Sequence, residues 1–259
     1  MRRPFVRWLR ALREWRAGRA FFSQAEGPRF FGCFPTRQAA LSAIRPPKAV
    51  GYDYPQVTEL NFVRMCEVAP WDAPVIEALR QRLSTHRSIL DLGGHLGTKF
   101  RAFRTALPDI DARRWTVWEL PSMVVAGTKR AQEERLAALV FTSDLSTVSE
   151  DHDLVLASGL LQYLEGRLAD VLRGLSALPR TLIINKLAVT DGNPYFMLEN
   201  LGYSAVPYHV RRERDELDAL GALGFRVVER WVIPELSHEV PFRPERGASA
   251  SIGLVLERT

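Results

Sequence analysis

The feature that most constrains the fold is a glycine-rich loop, residues 91–97, which directly follows a short apolar run. Residues 89–92 have the length and composition of a buried strand, and Gly97 stands where a helix would begin. Glycines at such a junction let the backbone turn sharply and come close to a ligand. The loop alone also fits a simple strand-to-helix turn, so the surrounding pattern has to decide between the two.

Short apolar runs alternate with helix-compatible segments through the middle of the chain. This alternation is typical of a parallel α/β sheet. The last two runs are joined by a loop without room for a crossover helix, so they should pair antiparallel. The sequence therefore predicts a Rossmann-like α/β fold with a seven-stranded, mostly parallel sheet and a terminal antiparallel hairpin. The predicted strands are residues 88–92, 116–120, 138–142, 153–157, 181–187, 226–233 and 251–257.

The N-terminal part of the chain has a different character. Residues 27–54 are rich in proline, glycine and aromatic residues, which predicts an irregular arm. Asp72 and Pro74 are typical of a helix start, and the apolar stripe that follows would cover the sheet. We therefore divide the chain into residues 1–71, a helix with an aromatic arm or lid, and residues 72–259, the main domain.

A basic amphipathic helix is predicted at the start, because arginines interleave with aromatic and leucine residues at spacings of three and four. Such a helix can dock on the domain or lie on anionic lipid, and the pattern does not separate these alternatives. Binding to nucleic acid ranks third, because no recognition motif accompanies the arginines. The arginines are Arg2, Arg3, Arg7, Arg10, Arg13, Arg16 and Arg19.

Composition narrows the class of protein further. The 259 residues contain only Cys33 and Cys66 as cysteines, which argues against a disulfide framework and favours a reducing compartment. No apolar run approaches the roughly 20 residues that a membrane-spanning helix needs. The net charge of +5 favours negatively charged partners in general. We expect a cytoplasmic location, with the inner membrane face as a further option through residues 1–20.

Three acidic residues stand at the carboxyl ends of the first three predicted strands. Asp91 could hold the ammonium of a bound amino acid, Glu119 the two hydroxyls of a ribose, and Asp144 the amino group of an adenine. Ligands bind across the carboxyl ends of parallel strands, where all three acids would lie. For Asp144 alone, capping of a turn is the stronger alternative. The predicted cofactor-site residues are Asp91, Gly93, Gly94, His95, Gly97, Glu119, Leu120, Met123, Asp144, Leu145, Ser158 and Gly159.

The loop spacing argues against a dinucleotide cofactor. Gly93-Gly94-His95-Leu96-Gly97 lacks the second glycine of G-x-G-x-x-G, and Asp91 would repel a diphosphate. Ser158 and Gly159, after the fourth strand, would run beneath the ligand toward a second substrate.

These motifs resemble those of class I S-adenosylmethionine-dependent methyltransferases over residues 72–259. D-L-G-G-H-L-G is similar to the first motif of that family, and W-E-L-P-S-M to the second. More narrowly, Phe31-Gly32-Cys33-Phe34, Gly51-Tyr52-Asp53 and the glycine loop resemble a bacterial family of methyltransferases associated with surface-polysaccharide genes. The resemblance implies S-adenosyl-L-methionine as cofactor and O-methylation of a small molecule or glycan precursor.

The acceptor half of the site is less defined by the sequence. Methyl transfer needs alignment and a base for a hydroxyl acceptor, and the sequence has no metal-ligand spacing, so we expect metal-free transfer. His209 is the favoured base, with capping of the helix from Glu213 as its alternative. His95 is expected to orient the cofactor, whereas His152 and His238 stand in no base-like motif.

Aromatic residues could close the acceptor pocket. Trp71, Phe31 and Phe34 could form a lid, and an aromatic platform could form after the fifth strand, although core packing explains the same residues. Asp191-Gly192-Asn193-Pro194 is interpreted as a turn. A different class of function stays open at this point: a non-catalytic scaffold that keeps the fold and is recruited by its N-terminal helix. The platform residues are Tyr195, Phe196, Tyr203 and Tyr208.

Overall fold

The computed structural model describes residues 3–23, 27–54, 62–148, 152–240 and 242–259, with backbone alone for residues 3–7, 147 and 244. Arg2 and Pro55 therefore lie outside the described residues. The strands are β1 Phe30–Phe34, β2 Ala49–Val50, β3 Ser88–Leu92, β4 Arg114–Trp118, β5 Leu139–Thr142, β6 Leu154–Ser158, β7 Thr181–Thr190, β8 Tyr195–Asn200, β9 Ser204–Arg212, β10 Phe225–Val232, β11 His238–Glu239 and β12 Ala248–Arg258. The helices are α1 Arg3–Ser23, α2 Arg37–Ala43, α3 Phe62–Met65, α4 Ala73–Arg82, α5 Thr98–Phe103, α6 Pro121–Glu133, α7 Leu168–Arg173 and α8 Glu213–Gly221.

The central sheet contains all seven predicted strands, in the order β5-β4-β3-β6-β7-β12-β10. The first five run parallel. β12 is inserted between β7 and β10 and pairs antiparallel with both, which confirms the predicted terminal hairpin. The fifth strand is longer than predicted, because β7 continues to Thr190 and pairs with β9 at that end.

Successive residues of each strand point to opposite faces of the sheet, and each face packs into its own hydrophobic core. Ile89 of β3 packs with α4, α5 and α6, while its neighbour Leu90 packs with α7 and α8. Both side chains are fully buried. A strand covered on both faces is mostly apolar rather than alternating, which explains why only Ser88 and Asp91 interrupt the apolar residues of β3.

The long segment after β7 forms a hairpin. β8 pairs antiparallel with β9, β1 adds to the free edge of β8, and β2 pairs with β9. Residues 27–54 are therefore not the irregular arm that we predicted, since they contain β1, α2 and β2. The reason is that the free edge of β8 satisfies the backbone of β1, which has no partner in its own part of the chain. The turn at residues 191–194 lies between β7 and β8, as predicted.

Asp72 does not cap α4, although the helix begins beside it with Pro74 in its first turn. The carboxylate is fully buried instead, and its Oδ2 accepts from Lys99 Nζ of α5 at 2.6 Å. The backbone N–H of Ala69 donates to the same oxygen. The residue thus ties the start of α4 to the helix that follows the glycine loop.

The helix α1 docks on the β1 and α2 layer. Phe21 is fully buried, with its ring centroid 5.5 Å from that of Phe31. Glu14 forms an ion pair with Arg243 at 2.9 Å. Trp8 and Trp15 stay 60% and 56% exposed on the same helix. Of the described helices, none is long and apolar enough to cross a membrane.

Candidate active site

The glycine loop connects β3 to α5 with three left-handed residues. Gly93, His95 and Gly97 have φ values of 70°, 54° and 74°, a region that residues with a Cβ rarely adopt. At Gly94 the constraint is space rather than φ, because a Cβ there would collide with Asp91 Oδ2. The loop can therefore pass beside the acid only as glycine.

Asp91 is 1% exposed at the carboxyl end of β3. Its Oδ2 accepts a hydrogen bond from Trp115 Nε1 at 3.1 Å. Burial raises the pKa of its carboxyl to about 7, against the hydrogen bond from Trp115, which lowers it. Burial destabilises the ionised form of this carboxyl, so a bound cation beside it would stabilise the carboxylate.

Glu119, just beyond β4, reaches back to the same loop. Its Oε1 accepts from the backbone N–H of His95 at 3.0 Å, and its Oε2 from that of Leu120 at 2.9 Å. Burial raises the pKa of this carboxyl as well. A carboxylate has about four acceptor positions, so each oxygen keeps one for a ligand hydroxyl. The position thus suits both loop support and a ribose.

His95 presents an unused polar atom at this edge. Its Nδ1 is buried without a hydrogen-bond partner among the described residues. Burial lowers its pKa to about 4, so the ring is neutral at physiological pH. A neutral ring with an unpaired nitrogen can contact a bound ligand but is a poor proton acceptor.

The residues predicted to bind adenine only partly face a common site. The Oδ1 atom of Asp144 accepts from both the backbone N–H and the hydroxyl of Ser146, so this side chain caps its own turn. Met123 is 2% exposed and packs with Phe62 and Leu96. Leu120 is 40% exposed and Leu145 half-buried, which leaves these two leucines as apolar wall residues.

The carboxyl end of β6 holds Ser158 and Gly159, and beside them a residue that the sequence analysis missed. Ser158 Oγ is buried without a partner in the described part of the chain. Gly159 has a φ of 81°, and a Cβ there would lie 3.0 Å from Lys186 Cε and 3.1 Å from its Nζ. The absence of a side chain at Gly159 therefore makes room for the Lys186 ammonium.

A bulge in β7 directs Lys186 to this place. Ile184 and Leu187 pair with Leu254 and Ile252 of β12, so two residues of β7 face one of β12. Lys186 itself has a left-handed φ of 59°, which is strained for a residue with a side chain. The sequence carries one signal for it, since Asn185-Lys186 is a polar pair inside an otherwise apolar strand.

His209 does not lie where the predicted base should be. Its ring stacks on Phe196 at 4.1 Å, on the face of the β8 and β9 hairpin that packs toward α1 and α2. Tyr208 points to the opposite face and contacts Tyr163, because side chains alternate along a strand. Burial lowers the pKa of His209 to about 4. Neither the base role nor the helix-capping alternative is supported by this position.

The predicted aromatic platform is split between the two faces of this hairpin. Tyr195 and Tyr208 are buried on one face, Phe196 packs on the other, and Tyr203 is 47% exposed. Tyr163 donates its hydroxyl hydrogen to Glu199, which Arg29 also binds at 2.9 Å. Core packing, the alternative explanation, therefore describes most of these residues.

The N-terminal segment does approach the site, but through different residues from those predicted. Phe31 and Phe34 pack with Phe21 of α1 and form no lid. The Tyr52 ring lies 5.0 Å from that of Tyr163, and Asp53 accepts a hydrogen bond from Ser122 at the start of α6. Tyr52 and Asp53 thus bridge the ends of β4 and β6. Trp71 meets β7 through its carbonyl oxygen, which accepts from Asn185.

No model of a known protein family matches the chain, and no curated protein matches it by sequence. Many solved structures share its fold. One is the O-methyltransferase from a trans-AT PKS multienzyme of Brevibacillus brevis in complex with S-adenosyl-L-homocysteine, with 11% identity, a TM-score of 0.52 and coverage of 73% of this chain and 72% of that one. An O-methyltransferase family protein from Burkholderia thailandensis has 12% identity and a TM-score of 0.50 over 99% of this chain and 70% of its own. The chain therefore has the Rossmann-like α/β fold of methyltransferases, with a mostly parallel sheet, a terminal antiparallel hairpin and an N-terminal helix.

Proposed function

We propose that the protein is an S-adenosyl-L-methionine-dependent methyltransferase that acts on a hydroxyl of a small molecule or glycan. The observation that carries this proposal is the buried carboxylate of Asp91 beside Gly94 and Glu119, at the carboxyl edge of a methyltransferase-type sheet. A cationic amino acid joined to a nucleoside has the charge and shape that such an edge would bind.

Each residue of the edge has a separate task in this proposal. Asp91 binds the ammonium group, and its burial makes the charge pairing strong. Glu119 holds the loop through the His95 backbone and offers its remaining acceptor positions to the ribose hydroxyls. Leu120 and Leu145 pack against the adenine, while Asp144 contributes through the turn that it caps.

When bound, S-adenosyl-L-methionine supplies a methyl group on a positively charged sulfur, which needs alignment and a dry pocket more than charge stabilisation. Strands β6 and β7 lie on the other side of β3 from β4 and β5. The acceptor therefore enters from the side of Ser158 and Gly159. Tyr52 and Tyr163 screen this side from water through their ring contact.

Calorimetric titration with S-adenosylhomocysteine tests the donor site. We expect micromolar binding by the wild type and a loss of at least tenfold in the variants Asp91→Asn and Glu119→Gln. Asp109→Asn, an exposed acid on the connection between α5 and β4, is the matched control and should bind normally. No binding to the wild type at millimolar ligand would reject the proposal. Binding without turnover of any acceptor would instead favour the scaffold function.

We also propose that α1 contacts anionic lipid through its outer face. Trp8 and Trp15 are exposed there together with Arg16 and Arg19, and the Arg19 guanidinium lies 5.0 Å from the Trp15 ring. Tryptophans with nearby arginines suit a membrane interface. The protein should float with phosphatidylglycerol vesicles, and the double variant Trp8→Ala, Trp15→Ala should not. Equal flotation of both proteins would contradict the lipid contact.

A further inference from the structure

Lys186 lies on the acceptor side of the proposed donor site. Ser158 of β6 is in register with Asn185 of β7, so the next residue, Lys186, stands level with Gly159. Its Nζ lies over Gly159 at the end of β6. Glu119 lies at the end of β4, and β3 runs between β4 and β6. A group reacting with the sulfonium end of the ligand would therefore meet this amine.

Several interactions of neighbouring residues hold Lys186 in this position. The side chain of Asn185 is tethered on both sides, since its Nδ2 donates to Trp71 O at 3.2 Å and its Oδ1 accepts from Trp231 Nε1 at 3.3 Å. The Trp231 ring lies so close to Gly253 of β12 that a Cβ there would overlap it. These contacts fix the bulge, and the bulge produces the left-handed backbone of Lys186. Strain maintained by its surroundings is a common property of functional positions.

The Lys186 amine stands beside the backbone of Gly159, its Nζ 3.1 Å from the position that a Cβ of that residue would take. Two unpaired polar atoms lie near it, because Ser158 Oγ and Gln162 Oε1 are buried without partners there. Gln162 also lies next to Gly159, with its Nε2 at 3.7 Å from the position of a Cβ at that glycine. An amine beside an unpaired hydroxyl and an unpaired amide oxygen describes a site for a polar group of a second substrate.

The charges that face Lys186 come from four parts of the chain. Lys99 of α5 and Arg29 before β1 lower its pKa, whereas Asp72 and Asp91 raise it. Burial is the largest influence, and together these effects lower the pKa of Lys186 to about 8. A substantial fraction of the amine is therefore neutral near physiological pH.

The phenols at the site do not share this property. Burial and the nearby Glu199 carboxylate raise the pKa of Tyr52 and Tyr163 well above the usual range of a phenol. These two side chains therefore stay protonated and do not act as bases at physiological pH.

We propose that Lys186 is the general base that accepts the proton of the acceptor hydroxyl, with Ser158 and Gln162 binding the same acceptor. In this step the hydroxyl proton moves to the neutral Nζ of Lys186, and the oxygen forms a bond to the methyl carbon. The carbon–sulfur bond breaks, and its electron pair stays on sulfur. The charge of the sulfonium is thereby transferred to the lysine, which then loses the proton to water. The assignment rests on the proposed methyltransferase function and adds the base that the histidines do not provide.

Competitive labelling tests the titration of Lys186 without any acceptor. The whole protein is acetylated with trace acetic anhydride between pH 6 and 11, and the peptides are quantified by mass spectrometry. Lys129, whose side chain is 78% exposed, is the internal control. The labelling of Lys186 should follow a pKa of about 8, well below the ordinary lysine value of about 10.4. A Lys186 labelling curve that follows the ordinary lysine value of about 10.4 would overturn the proposal.

Methyl transfer with three variants then tests the role in catalysis. Phenols, catechols and methyl glycosides serve as acceptors, with isotopically labelled methyl donor. Lys186→Arg and Lys186→Met should bind S-adenosylhomocysteine within threefold of the wild type but lose at least 100-fold in kcat, and Lys129→Arg should lose nothing. The rate of the wild type should rise with pH to a plateau above about 8. If Lys186→Arg transfers methyl groups at the wild-type rate, the base assignment is overturned while the donor site stands. If the wild type itself does not bind S-adenosylhomocysteine, the proposed function is rejected.

Discussion

Asp91, next to the last residue of β3, is the proposed partner of the ligand ammonium, and its burial has a consequence for stability. Burial raises the pKa of Asp91 to about 7, whereas the unfolded chain ionises near 3.9. Between these values the folded protein holds a proton that the unfolded chain has lost. The contribution of Asp91 to the free energy of unfolding is therefore greatest below about pH 4 and falls as the pH rises toward 7.

Asp91→Asn should separate these two effects. The amide keeps an oxygen for Trp115 Nε1 and never ionises, so the free energy of unfolding at pH 8 should rise by on the order of 1 kcal/mol. Urea denaturation at pH 5 and pH 8 measures it, and the gain should shrink at pH 5. A variant less stable than the wild type at pH 8 would mean that Asp91 is not a destabilising charge.

Ligand affinity should have a pH dependence of the opposite sign. A ligand ammonium favours the ionised carboxylate, so binding of S-adenosylhomocysteine should strengthen as the pH rises from 5.5 to 7 and then level off. The α-amino group of the ligand loses its own charge only above about 7.7. Calorimetry in two buffers of different ionisation enthalpy should detect proton release at pH 6. Affinity that is constant over this range would exclude Asp91 as the partner of the ammonium.

Gly94 tests the packing of the loop independently of charge. The Cβ of Gly94→Ala would collide with Asp91 Oδ2, and overpacking of this kind costs about 1–3 kcal/mol. S-adenosylhomocysteine binding should fall at least tenfold, because the loop has to move. Gly221→Ala is the control, since a Cβ there meets nothing within 4 Å. If both variants melt and bind alike, the close approach of loop and acid has no functional role.

At the scale of elements, the strands covered by helices could be predicted and the β8 and β9 hairpin could not. Runs such as β3 and β6 are mostly apolar because both faces are buried, and their polar residues are Ser88, Asp91 and Ser158. β9 carries Pro207, His209 and two arginines among its apolar residues, a composition that also fits a loop. Its partners β1 and β8 become visible only when the chain is folded, and with them the face on which His209 lies.

The site shows the same division. The position of Asp91 and Glu119 at the carboxyl edge of the sheet could be predicted, because the ends of these parallel strands are marked in the sequence by an acid close to turn residues. The position of Lys186 could not, because it depends on a left-handed φ and on the hydrogen bond between Asn185 and Trp231, which are 46 residues apart.

The buried pair of Asp72 and Lys99 connects α4 with α5 and has its own prediction. Asp72→Asn leaves the Lys99 ammonium buried without its partner, so stability should fall by about 3–5 kcal/mol. The double variant Asp72→Leu, Lys99→Met removes both charges and should recover most of the loss. Thermal denaturation of the three proteins measures this coupling. Independent effects of the two substitutions would show that the pair is not a unit.

At the scale of the whole molecule, α1 joins the start of the chain to its end. Arg10 and Glu14 form ion pairs with Glu245 and Arg243, which lie just before β12. β1 meanwhile extends the sheet of the β8 and β9 hairpin. The described N-terminal residues thus belong to the same packed body as the proposed donor site, while one face of α1 keeps its tryptophans exposed to solvent.

Docking and lipid binding, which the sequence left as alternatives, should therefore be separable on the same helix. Phe21→Ala removes a fully buried ring and should destabilise the protein by about 3–5 kcal/mol. Trp15→Ala, on the exposed face, should change stability by less than about 0.5 kcal/mol while weakening vesicle binding. Denaturation and vesicle flotation on both variants give the two readouts. Unchanged stability of Phe21→Ala would show that α1 does not pack on the rest of the protein. Unfolding of Trp15→Ala would show that Trp15 is buried in solution rather than exposed.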